Sequence, residues 1–381
     1  MALTGIYNLK LKENILFILH LPPPVHGHGV MGSYIQGSTL VNDAFNCTYI
    51  NLSVSPDLES IGKASFKKYL AVFGIGFKVI KALLTTKYSL CYMTPSARTP
   101  AFFKDFLIIL IIKLFGAKII YHFHNKGVAV SSTNKLIKSV YRFSFKNSKV
   151  ILLSKLLYPD VEQYVSVDNV YICPNGIPVS TPPSPKLLNA DPRRATKLLL
   201  VSNLVIEKGI FVLLNACELL KNKGHNCECH FVGDYAEISK VDFLNKIADM
   251  GLAKNVFAYG KKYNQEKLDF YRQADIFVFP TYYRNETFGL VNLEAMQFNL
   301  PIISTNIGGI PDVINDGETG LIVRAQDPTD LADKIEILIN SPELRIKMGN
   351  AGRERLDTCF TLPIFEKNIV NILKRALSNI R

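Results

Sequence analysis

No stretch of the 381 residues approaches the roughly eighteen consecutive apolar positions that a membrane-spanning helix needs. The longest apolar run, Phe106 to Ile112, follows Lys104 and Asp105 and is stopped by Lys113. Near the start, Ile15 to Leu21 is apolar apart from His20, but it is short, follows Lys10 and Lys12, and ends in Pro22-Pro23-Pro24 without a small-residue cleavage site. It reads as a first strand rather than a signal peptide. A disulfide framework is also missing, because the cysteines number seven, an odd count, and lie scattered among apolar stretches. These absences point to a reducing, cytoplasmic setting, with membrane contact limited to the inner face of the plasma membrane. Internal repeats and low-complexity segments are absent as well.

Acidic residues are in short supply, and unevenly so. The chain has 44 Lys+Arg against 32 Asp+Glu, a net charge of +12. Residues 1–180 hold 19 basic and 8 acidic residues and the remainder 25 and 24, so the excess is +11 in the first part and +1 in the second. Such asymmetry suits an anionic ligand, nucleic acid or an anionic membrane. No RNA-binding motif accompanies it, which argues against nucleic acid as a partner.

What the sequence does have is an alternation of apolar runs of strand length with longer helical patterns. The runs are Ile15–Leu21, Lys118–Phe123, Lys149–Leu153, Lys197–Ser202, Glu228–Gly233, Ile276–Pro280, Pro301–Thr305 and Gly320–Val323, with a further strand ending near Ile50-Asn51-Leu52. Continuous apolar strands between helices mean parallel sheets covered on both faces, the α/β class. After Pro174-Asn175-Gly176 the pattern stops in a proline-rich stretch, Ile177 to Pro185 followed by Asp191-Pro192. The expected organisation is therefore a domain over 1–177, a linker over 178–197, a second domain over 198–358 and a C-terminal helix over 359–381 returning to the first domain. Two doubly wound domains put a ligand cleft at the carboxyl ends of their strands.

Three motifs invite chemistry. Gly27-His28-Gly29-Val30-Met31-Gly32 spells G-x-G-x-x-G, but prolines lengthen the loop before it and no carboxylate follows the second strand to hold a ribose, so a nicotinamide cofactor is not expected. Its glycines still suit a phosphate. His225, Cys227, Cys229 and His230 crowd together without matching a closed zinc pattern, and read as core and loop residues; no metal is expected. The sequons at Asn46, Asn51 and Asn285 have no meaning in a cytoplasmic chain.

The third runs from Phe279 to Met296. A buried strand ends at Pro280, and Glu286 stands before a helix expected to begin near Phe288, whose amides at Phe288, Gly289 and Leu290 could bind an oxyanion. Glu294 lies about two turns further in, so the two carboxylates suit different parts of one extended ligand rather than an acid/base pair. Taken alone, they could equally be a helix-capping charge and a solvated helix face.

Glu286-x7-Glu294 within E-x-F-G-L-V-x-L-E-A-M, followed by Pro301 to Thr305 and Gly308-Gly309-Ile310-Pro311-Asp312, resembles the retaining glycosyltransferases of family four, which have the GT-B fold: two Rossmann-like domains facing each other across a cleft. Pro174-Asn175-Gly176, Glu207-Lys208-Gly209, Phe231-Val232-Gly233-Asp234 and Asp316-Gly317-x-x-Gly320-Leu321 agree in order and spacing, and the first domain matches more loosely through the Pro-Pro-Pro-Val-His-Gly loop and Tyr121-His122-Phe123-His124. The resemblance implies that Glu286 contacts the donor sugar, Glu294 the ribose, and Lys208 with the amides of Phe288 to Leu290 the diphosphate. It further implies a diphosphate-closing loop at Gly27 and Gly29, a histidine beside the donor sugar at His124, and a base near Tyr259-Gly260-Lys261. Where the family commonly has an arginine five residues before the lysine, this chain has Asn203. Arg284 or Lys262 could substitute for it.

By the same resemblance the basic first domain faces the acceptor. Residues 61–87 interleave Lys63, Lys67, Lys68, Lys78, Lys81 and Lys87 with aromatic and aliphatic residues, and Lys135, Lys138, Arg142, Lys146 and Lys149 recur between aromatics, compositions that suit an anionic membrane interface or ordinary solvated helix faces. The expected activity is metal-independent, retaining transfer of a sugar from a nucleotide diphosphate donor, expected to be UDP-linked, to an oligosaccharide or lipid-linked acceptor in cell-surface polysaccharide or glycolipid synthesis. Its rival is a catalytically weak homologue acting as a membrane-associated assembly partner.

Overall fold

The computed structural model describes residues 12–23, 27–53, 66–179 and 194–378, without the side chains of residues 66–70. The chain divides into two compact units, one of Met1–Leu152, Tyr158–Cys173 and Glu366–Arg381, the other of Leu153–Leu157 and Pro174–Phe365.

The first unit is built on six parallel strands, β1 (Asn14–Leu19), β2 (Asn46–Asn51), β3 (Leu90–Met93), β4 (Ile119–Phe123), β5 (Ser148–Leu152) and β6 (Val170–Ile172), in the order β2-β1-β3-β4-β5-β6. The second repeats the plan with β7 (Thr196–Val201), β8 (Cys227–Val232), β9 (Val256–Ala258), β10 (Ile276–Phe279), β11 (Ile302–Thr305) and β12 (Gly320–Val323), in the order β12-β11-β10-β7-β8-β9. The class is α/β, as expected. Every residue of β3, β4, β10 and β11 is buried, as expected of parallel strands covered on both faces. In the edge strand β2 only Ile50 is buried; Asn46 and Asn51 are exposed and the remaining three residues half-buried.

Several boundaries differ from expectation. β1 stops at Leu19 because His20 and Leu21 turn to loop partners: the His20 amide donates to Thr94 Oγ1 at 3.1 Å and the Leu21 amide to Ser53 Oγ at 3.1 Å. β7 begins at Thr196, inside the expected linker, of which residues 180–193 lie outside the described residues. At the C-terminus two helices, Pro342–Cys359 and Leu362–Ser378, break at Phe360, and the unit division falls after Phe365 rather than after residue 358. Gly27 and Gly29 are not in a loop; they open the helix Gly27–Gly37. Gly32 lets that helix press on the end of β1, since a Cβ there would lie 2.1 Å from the His20 carbonyl oxygen.

The helix Phe66–Thr85 packs on the helix Ala101–Leu114, with Gly76 admitting Ile111 to 3.1 Å from where a Cβ would stand. Val72, Ile75 and Val79 form its buried stripe, while Phe73, Phe77 and Leu84 are 63%, 70% and 71% exposed. Ile75 and Val79, two of the aliphatic residues interleaved with those lysines, are thus core. Lys63 lies outside the described residues, as do the side chains of Lys67 and Lys68. Among the described residues no helix is long and apolar enough to cross a membrane.

Candidate active site

In each sheet the strand order reverses once, between β1 and β3 in the first and between β7 and β10 in the second. Loops leaving the carboxyl ends of such neighbouring strands diverge and leave room for a ligand.

In the second unit the loop after β7 carries Lys208 at the end of a 3-10 turn, Ile206–Lys208. Gly209 follows with φ 85°, and a Cβ on it would meet the Pro280 carbonyl oxygen at 2.2 Å, so only glycine allows the turn to lie against the end of β10. The loops are stitched by the Tyr282 amide donating to the Glu207 carbonyl at 2.8 Å. Lys208 Nζ then donates to Glu286 Oε2 at 2.6 Å, with both side chains mostly buried, and lies 4.5 Å from the centre of the Tyr283 ring. The other oxygen, Glu286 Oε1, accepts from the amides of Gly289 at 3.1 Å and Thr287 at 3.3 Å. An internal carboxylate therefore sits on a cation and two backbone N–H groups, an arrangement of donors that holds any oxyanion well.

The backbone beneath is fixed from β11. Ser304 Oγ donates to the Phe279 carbonyl at 2.7 Å and Thr305 Oγ1 to the Thr281 carbonyl at 2.5 Å. Gly308 and Gly309 pack directly on the backbone of Glu286 and Thr287, where Cβ atoms would stand 2.3 and 2.6 Å from the two carbonyl oxygens. The glycine-rich loop after β11 thus supports Glu286, a role its sequence did not reveal.

The following helix is Leu290–Gln297, two residues later than expected, because Gly289 occupies the left-handed cap position at φ 70°. Phe288 precedes the helix with its ring buried against Phe360. Its side chain is core, leaving only backbone groups for a ligand. Glu294 is neither free nor simply solvated: Oε1 accepts from Lys267 Nζ at 2.8 Å and Oε2 from the Tyr271 hydroxyl at 2.8 Å. Asn203 is exposed in the loop after β7. Of the substitute cations, Arg284 is exposed and Lys262 pairs with Glu266 at 3.0 Å. Tyr259, near the expected base position, stacks on His230 at 5.7 Å and meets the tilted ring of Phe270 at 4.6 Å.

In the first unit His124 follows β4. Its ring lies 4.1 Å from that of His122 and 5.0 Å from that of His28, which stands between Gly27 and Gly29; His28 in turn is 4.4 Å from His20. The His122 Nδ1 meets the buried Tyr92 hydroxyl at 2.5 Å. Burial, and then the neighbouring His124, push His122 well below the usual imidazole range, so it stays neutral. The His225–His230 cluster does not converge: Cys227 and Cys229 are core residues, His225 pairs with Glu336 at 2.9 Å and His230 with the Tyr259 hydroxyl at 3.0 Å. Among the described residues no three His, Cys, Asp or Glu groups are placed to hold a metal ion.

Residues 189–355 match the family model described as glycosyl transferases group 1. The capsular polysaccharide biosynthesis glycosyltransferase CapM of Staphylococcus aureus is 34% identical over 169 residues, covering 43% of this chain and 42% of CapM, so the match spans well under two thirds of that relative. Among solved structures, a glycosyltransferase from Rickettsia africae superposes with a TM-score of 0.71 at 21% identity, covering 97% of this chain and 99% of the other. Anabaena HepE in complex with UDP gives 0.68 at 16% identity, covering 95% and 100%. At such identities the likeness is one of fold, and the GT-B fold expected from the motifs is the fold these glycosyltransferases share with the chain.

Proposed function

We propose that the chain is a retaining glycosyltransferase of the family-four kind, taking a sugar from a UDP-linked donor and passing it to a saccharide or lipid-linked saccharide in cell-surface polysaccharide or glycolipid synthesis. The observation that carries this reading is the Lys208–Glu286 pair with the Gly289 and Thr287 amides at the switch point of the second sheet. It lies within the residues that match the group 1 model, and CapM's role in capsular polysaccharide synthesis and the UDP bound to HepE support the substrate classes.

In this reading the Glu286 carboxylate stands where the donor's diphosphate will be. The incoming phosphates take Lys208 and the Gly289 amide, and Glu286, released, accepts from hydroxyls of the donor sugar. Lys208 then faces the charge that grows on the leaving diphosphate as the glycosidic bond breaks, where a fixed cation lowers the barrier most. Lys208 and the amides do here what a metal ion does elsewhere, so the reaction calls for no metal, and front-face attack calls for no protein nucleophile. Glu294 holds the ribose. His124, beside the neutral His122 ring, offers a hydrogen bond beside the donor sugar, and the helix start at Gly27 and Gly29 offers amides to phosphate.

The acceptor side is assigned to the basic first unit, acting peripherally on the cytoplasmic face of an anionic membrane. The exposed Phe73, Phe77 and Leu84 beside Lys78 and Lys81 support that assignment. Asn203, in place of a second cation, favours the alternative of a weak homologue serving assembly. Release of UDP from a panel of UDP-sugars, with and without saccharide acceptors, separates the two: turnover above hydrolysis supports the transferase, and tight UDP binding without turnover supports the assembly partner.

A further inference from the structure

Glu294 is held from one side by a single helix, Asn264–Gln273, whose Lys267 and Tyr271 lie one turn apart and reach one carboxylate oxygen each, both at 2.8 Å. The two donors differ in kind. Tyr271 is fully buried, its ring stacked on Phe298 at 5.6 Å with an interplanar angle of 6° and standing 5.7 Å from Phe277, so its hydroxyl has one fixed position. Burial, and then the charge of Glu294, push that hydroxyl well above the usual phenol range, which keeps it a donor. Lys267 is 28% exposed and supplies charge rather than rigidity.

We infer that Tyr271 and Lys267 are positioning residues, which fix the plane of the Glu294 carboxylate so that it is set to receive the two adjacent hydroxyls of a ribose. A carboxylate offers about four lone-pair sites. With one site on each oxygen taken from the same side, one on each remains, and those two match a vicinal diol rather than a single hydroxyl. Holding the acceptor still before the ligand arrives also removes an ordering cost from binding. This inference rests on the reading of Glu294 as the ribose-binding residue. It adds that ribose discrimination is built by a buried tyrosine in a neighbouring helix.

The test is calorimetric binding of UDP against dUDP, and of GDP against dGDP, to the wild type, Tyr271→Phe and Lys267→Met. The wild type should prefer the ribonucleotide by about tenfold or more, the size of one charge-assisted hydrogen bond. Tyr271→Phe removes only a hydroxyl and leaves the stacked ring, so its melting temperature without nucleotide should stay near that of the wild type while the ribose preference falls several-fold. In turnover the donor KM should rise with kcat little changed. Lys267→Met, at a partly exposed site, should shrink the preference in the same direction. If both variants keep the full preference, the positioning role is overturned and the role of Glu294 stands. A wild type that does not distinguish ribose from deoxyribose, or binds none of the four nucleotides, overturns the reading of Glu294 and this inference with it.

Discussion

Glu286 competes with the ligand it is meant to serve. Its carboxylate neutralises Lys208 at 2.6 Å and accepts from the Gly289 amide at 3.1 Å, so a bare nucleoside diphosphate must displace it without a sugar to occupy it afterwards. Glu286→Gln keeps the size and removes the charge. It should tighten UDP binding about fivefold, on the order of 1 kcal/mol, while abolishing most sugar transfer. Unchanged UDP affinity by calorimetry would show that Glu286 and the diphosphate do not share donors. A second prediction concerns His122. Its folded value lies below the ordinary 6.5, so as pH falls below 6.5 the unfolded chain binds the proton and the folded one does not. Stability should therefore decline from pH 7.5 to 5.5. In His122→Asn, urea denaturation should show a shallower decline; identical slopes would remove His122 as the cause.

At the level of elements, the two sheets owe their geometry to close approaches that only glycine permits. Gly32→Ala would drive a methyl group into the His20 carbonyl, at 2.1 Å, and push the helix Gly27–Gly37 off β1. Thermal or urea unfolding should register a loss of about 1–3 kcal/mol, the usual cost of overpacking; full retention of stability would mean that the helix rides more loosely than described. Nine of the twelve strands and the α/β class were legible, eight of the strands from largely apolar runs of strand length and β2 from where it ends near Ile50-Asn51-Leu52. β6 and β9, with three residues each, were not, since so short a run carries no period and borrows its order from neighbouring strands, and β3 was missed although it is as long as β10, β11 and β12. The helix after Glu286 starts late for a similar reason: Gly289 caps it in a conformation that the sequence permits but does not demand. Glu286, Lys208 and Glu294 could be singled out from spacing and resemblance. Lys267 and Tyr271 could not, because they lie 27 and 23 residues from Glu294 and meet it only through the packing of two helices. The one signal was a lysine and a tyrosine a turn apart on a helix that precedes the strand of the site.

For the whole molecule, the +11 carried by residues 1–180 is less free than composition implied. Lys149 packs over Tyr171 and donates to its hydroxyl at 3.1 Å, and Lys113 donates to the Lys146 carbonyl at 2.6 Å, with burial lowering its pKa to about 8. What remains outward includes Lys78 and Lys81 beside Phe73, Phe77 and Leu84, so membrane binding should need both the apolar side chains and anionic lipid. Co-sedimentation with anionic vesicles should exceed that with neutral ones and fall sharply in Phe73→Ser/Phe77→Ser. Equal binding to both kinds of vesicle, or to neither, would contradict the electrostatic part. The account as a whole stands on the nucleotide site, and its most direct test is calorimetric titration of UDP into the wild type and Lys208→Ala. Micromolar binding that weakens about ten- to a hundredfold without Lys208, the loss of a charge-assisted contact, is the predicted result. Equal UDP affinity in the two proteins, or binding of GDP and not UDP, would contradict it.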